Sequence, residues 1–139
     1  MANFFKKRTA FCVIVCVFTM ATTALADENS QVCKALMVFA LSAESTEDVK
    51  ISDASEFSNP HTFETILLAE YRSPFDERTY RVLCGINSTT ATFSPLWDYE
   101  VGRTQYKWGK KRNISYRVTN DEVTFTWTHG DGSQSTDTI

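Results

Sequence analysis

His61 and His129 are the only imidazoles of this 139-residue chain, and Cys12, Cys16, Cys33 and Cys84 are its only thiols. Acyl transfer needs a nucleophile held against a base. No G-x-S-x-G elbow accompanies either histidine. His129-Gly130-Asp131 brings one imidazole and one carboxylate together in sequence, and a small hydrolase using His129 and Asp131 is the third of three functional readings. A metal site needs three or four convergent ligands. This stretch offers two, and neither H-E-x-x-H nor a calcium-loop pattern occurs. The chain is therefore read as no enzyme, with no catalytic residue, no metal and no cofactor.

The densest chemistry is of another kind. Within 94–113, Trp97, Tyr99, Tyr106 and Trp108 are interleaved with Arg103, Lys107, Lys110, Lys111 and Arg112. The stretch 103–117 adds Arg117 and holds no acidic residue. Aromatic rings beside cations suit a contact surface for acidic protein patches or anionic polymers. The segment is also long for a connection in a small domain, and such loops often carry function. The competing reading is that Leu96, Trp97 and Val101 cover one end of a sheet while the lysines are only solvated. Asn87-Ser88-Thr89 and Asn113-Ile114-Ser115 match the N-glycosylation acceptor, which matters only in a eukaryotic host.

The elements that would hold these residues begin after a leader. Lys6, Lys7 and Arg8 precede an apolar run to about Met20, and small residues end in Ala24-Leu25-Ala26. This is the order of a secretory signal peptide. Residues 1–26 are read as that signal and 27–139 as one domain. The apolar run is shorter than the roughly 20 residues of a membrane span, so no stable span is expected after cleavage. Cys12 and Cys16 leave with the leader. Cys33 and Cys84 remain in an oxidising compartment, where one disulfide is expected. Three of the 14 Lys and Arg precede Ala26, so the mature part carries 11 against all 17 Asp and Glu, a net charge of −6.

Asn29 or Ser30 can cap a helix over about 31–43, whose apolar residues occupy much of its circumference and predict burial. A polar, acidic stretch follows over 45–58, with a short strand at 49–51 and a turn at Asn59-Pro60-His61. Segments 63–72 and 77–86 alternate as strands. A four-residue loop would pair Arg72 with Glu77, Leu67 with Val82 and Thr65 with Cys84. A turn at Asn87-Ser88 would set Cys84 opposite Ala91. Segments 114–119 and 122–128 form a hairpin about Asn120-Asp121, pairing Val118 with Val123, Tyr116 with Phe125 and Ile114 with Trp127. The tail after Gly132 either adds an edge strand or frays. Ile66, Leu68 and Leu83 fall on the face away from Cys84 and need cover, for which 94–113 is the candidate. The sum is an α+β domain: one N-terminal helix on an antiparallel sheet of about five strands, stapled by one disulfide.

Cys33 in a first helix, Tyr80-Arg81-Val82-Leu83-Cys84, a Trp-containing loop, Ile114-Ser115-Tyr116-Arg117-Val118, a tight turn, Val123-Thr124-Phe125 and Asp131-Gly132-Ser133 follow in order. The pattern resembles small, uncharacterised, signal-bearing periplasmic proteins of Gram-negative bacteria over roughly 31–135. The resemblance implies a periplasmic compartment and a helix-plus-sheet fold, and no mechanism. The functional expectation is a secreted or periplasmic non-catalytic binding module acting through protein contact, such as an inhibitor or immunity-type protein. Its partner would be an envelope protein, with no nucleic acid expected. The alternative is a binder of anionic envelope polymers through 103–117.

Overall fold

The computed structural model describes residues 17–41, 45–57, 63–96 and 114–139, with 17–26 described by backbone alone. Helix α1 covers Val17–Leu41. It therefore runs through Asn29 and Ser30, which correct from capping positions to interior ones. Nothing between Val17 and Leu41 is Gly or Pro, and once a helix is nucleated each further residue adds a hydrogen bond. Asn29 instead uses its side chain to reach the sheet, where Nδ2 donates to Thr65 Oγ1 at 3.1 Å.

Seven strands follow: β1 Lys50–Asp53, β2 Thr65–Arg72, β3 Thr79–Ile86, β4 Thr90–Leu96, β5 Ile114–Thr119, β6 Glu122–Thr128 and β7 Gln134–Thr138. They form one antiparallel sheet in sequence order. The expected α+β architecture stands, and the strand number is corrected from five to seven. The two extra strands are the flanks, β1 on β2 and β7 on β6. Each gains a full backbone ladder from its neighbour, which unpaired flanks would have had to find in water.

One cross-strand row runs Thr65, Ile86, Ala91, Ile114, Trp127, Ser135. From it, β2, β3 and β4 extend mainly one way, and β5, β6 and β7 the other. β4 and β5 share only the pairs Thr90–Ser115 and Ala91–Ile114. The sheet is thus two ladders joined by a short overlap.

α1 lies on one face, against β1 to β6. Its Val32, Cys33, Leu36 and Met37 are fully buried against Val82, Cys84, Ile86, Ile114, Val123 and Phe125. Each such side chain contributes about 1.5–3 kcal/mol of burial. Phe39 extends this core, with its ring 6.0 Å from Phe93, 5.5 Å from Phe125 and 5.0 Å from Trp127. The disulfide Cys33–Cys84 closes across the layers with a Cα–Cα distance of 5.7 Å. It joins the helix to β3, near the sheet centre.

The opposite face carries a second, smaller core of Ala54, Phe57, Ile66, Leu83 and Leu96, with Phe63 and Leu68 against it. Ile66, Leu68 and Leu83 are therefore covered by the chain itself. Much of that cover comes from the short 3-10 turn Ser55–Phe57 and from Phe63, with Leu96 contributing from the segment expected to do so.

Candidate functional site

The candidate contact residues Trp97, Tyr99, Arg103, Tyr106, Lys107, Trp108, Lys110, Lys111 and Arg112 lie outside the described residues, as does His61. Their two anchors are described. Leu96 is 6% exposed at the end of β4, and Ile114 is 1% exposed at the start of β5. Leu96 lies five residues past Ala91, the partner of Ile114. The anchors are thus separated by roughly 17 Å along the strand direction. Seventeen residues, 97–113, join them, several times more chain than that distance needs.

Beside Leu96 the surface opens into a groove of about 580 Å3 lined by Leu41, Arg78, Thr79, Tyr80, Arg81, Pro95 and Leu96. Its walls come from the helix end, the start of β3 and the end of β4. Arg81 Nε donates to Glu70 Oε2 at 3.1 Å across the β2–β3 ladder. The groove is apolar at Leu41, Pro95 and Leu96 and carries a cation at Arg78, while Arg81 is ion-paired with Glu70.

The β2–β3 tip stands next to it. Ser73 N–H donates to Arg78 O at 2.9 Å, and Glu77 N–H to Ser73 O at 3.1 Å. Asp76 Oδ1 accepts from Arg78 N–H, and its Oδ2 accepts from Tyr80 O–H at 2.7 Å. The Tyr80 hydroxyl is the main reason that the Asp76 carboxyl titrates below its ordinary range, and the same bond raises the phenol of Tyr80. Glu77 takes φ 59°, a left-handed conformation that costs a non-glycine residue about 1–2 kcal/mol. This tip presents Phe75, 79% exposed and the one large apolar side chain so exposed among the described residues. Sequence reading passed over Phe75. An aromatic residue inside Pro74-Phe75-Asp76-Glu77, between two alternating strands, is the pattern that marks it.

His129 and Asp131 do not act on one another as hydrogen-bond partners. His129 Nε2 and Ser135 Oγ are 2.7 Å apart, joining the two arms of the β6–β7 hairpin. Asp131 Oδ1 accepts from Ser133 N–H at 2.9 Å and Ser133 O–H at 2.6 Å. Those bonds hold its carboxyl below the ordinary range. Asp131 thus serves its own loop, and both His129 and Asp131 are exposed. Among the described residues no three His, Cys, Asp or Glu side chains are grouped to hold a metal ion, and no helix is long and apolar enough to cross a membrane.

At the far side of the shared row, Asn87 of the acceptor motif is occupied structurally. Its Oδ1 accepts from Glu64 N–H, and its carbonyl accepts from Tyr116 O–H at 2.9 Å. Burial, with Glu28 and Glu64 nearby, pushes the Tyr116 phenol up. No family model matches the chain, and no curated protein or solved structure does so.

Proposed function

We propose that this chain is a secreted or periplasmic non-catalytic binding module that acts through protein contact, as an inhibitor or immunity-type protein does. One observation carries the reading. A 17-residue segment rich in aromatic and basic residues is strung between two buried anchors, Leu96 and Ile114, on a sheet that a disulfide clamps to its helix. A pre-organised frame lowers the ordering cost of an interface, and aromatic side chains beside cations supply its anchors. The disulfide and the leader at 1–26 both favour an oxidising compartment, for which the periplasm is the reading here.

The experiment uses mature 27–139 as bait for an envelope extract, with recovered partners measured again against purified bait. Replacing Trp97 and Trp108 by Ala is expected to weaken binding of the recovered protein at least about tenfold, with a mild salt dependence. Replacing Lys107, Lys110 and Lys111 by Ser tests the alternative, a binder of anionic envelope polymers through 103–117. A polymer ligand would show a steep salt slope that the triple replacement flattens. Protein binding indifferent to both sets would remove segment 97–112 as the contact surface.

A further inference from the structure

The β2–β3 tip and the groove beside it are complementary to each other in a way that one molecule cannot use. Phe75 is 79% exposed on a turn pinned by Ser73, Asp76 and Tyr80, so its apolar ring is displayed by an ordered tip. The groove of about 580 Å3 begins three residues further along the same hairpin, at Arg78, and has apolar walls at Leu41, Pro95 and Leu96. An aromatic ring buries roughly 150–250 Å2 when it finds such a site. Charge follows the same pattern, with the acidic Glu77 on the tip and the basic Arg78 on the groove.

We propose that the tip and groove form a self-complementary surface on which two copies of the chain pair about a two-fold axis, Phe75 of each entering the groove of the other. A knob and a hole on one patch are what an isologous contact requires, because both are then satisfied twice by one rotation. A membrane is the poorer occupant, since a lone aromatic ring followed directly by Asp76 and Glu77 meets an anionic surface with like charge. Two aromatic contacts bury little area by the standards of permanent dimers, so the association is reversible and weak.

Sedimentation equilibrium on the oxidised full chain, from about 5 to 500 µM, is expected to show a monomer–dimer equilibrium. Phe75→Ser removes the knob and Thr79→Arg fills the groove. Both positions are exposed, so both variants are expected to keep the parent melting temperature. Each should weaken the dimer at least about tenfold. A monomer at every concentration overturns the proposal, as does a dimer that survives both substitutions. Phe75-dependent binding of a monomer to phosphatidylglycerol vesicles would assign the tip to a membrane instead. None of these measurements involves residues 97–112, so their failure is separate from any failure of the binding-module reading.

Discussion

A Cβ built at Gly85 would stand 2.7 Å from three atoms of the Phe63 ring, Cγ included. The clash is with the root of the ring, so a small swing of the side chain does not relieve it. Gly85 is buried on the face away from the helix, where Phe63 packs with Leu83 and Phe57. Gly85→Ala is therefore expected to destabilise the fold by about 1–3 kcal/mol, the usual cost of overpacking. Urea unfolding measures it. Combining it with Phe63→Ala should recover part of the loss, because the two changes share one space. Full additivity would show that Gly85 is needed for some other reason. Nothing in Cys84-Gly85-Ile86 announces this constraint, since its cause lies 22 residues upstream across a strand pair. The same holds for His129. Adjacency in sequence suggested Asp131 as its partner, whereas the hairpin delivers Ser135 from the opposite arm.

The strands were legible as elements, and their faces more so than their registers. Leu67 pairs with Cys84, not Val82, and Cys84 with Phe93, not Ala91. Both corrections are shifts of two residues. The alternation has period two, so a shift of two leaves every side chain on its expected face. The cause is turn length in the first hairpin and turn position in the second. Ser73 bonds Arg78, giving a longer tip than four residues. Asn87 pairs with Thr90 about a turn at Ser88-Thr89. The β5–β6 hairpin came out as expected in every pair, because Asn120 takes the left-handed φ of 55° that a two-residue connection needs. What ties these elements together is Cys33–Cys84, 51 residues apart. Replacing both cysteines by Ala should lower stability by about 4 kcal/mol, from the loop-closure entropy that returns to the unfolded chain. A denaturation curve of the double variant against the oxidised parent checks this. A loss under about 1 kcal/mol would mean that the unfolded state is already compact about this loop.

At the scale of the whole molecule, the fold is two staggered ladders under one helix, and the stagger sets the distance between Leu96 and Ile114 that residues 97–113 must join. Composition made that connection conspicuous through Trp97, Trp108 and its lysines. The frame that displays it depends on contacts between segments remote in sequence, and no local pattern encodes them. The role of an exposed ring such as Phe75 is less legible still, because its display depends on the tip built around it. The helix raises the last question at this scale. It runs unbroken from Val17, and among residues 27–41, whose side chains are described, the fully buried ones begin at Val32. Helical stability in a protein comes mainly from packing of the buried face. A chain beginning at Asp27 keeps Val32, Cys33, Leu36 and Met37 of that face, keeps Asn29 on Thr65, and places Asp27 and Glu28 at the positive end of the shortened helix. Residues 27–139 are therefore expected to melt within about 4 °C of the full chain, a difference below about 1 kcal/mol. Calorimetry of the two forms under oxidising conditions decides it. A substantially lower transition for 27–139 would show that residues 1–26 contribute to the folded body, and would argue against their being a removable leader.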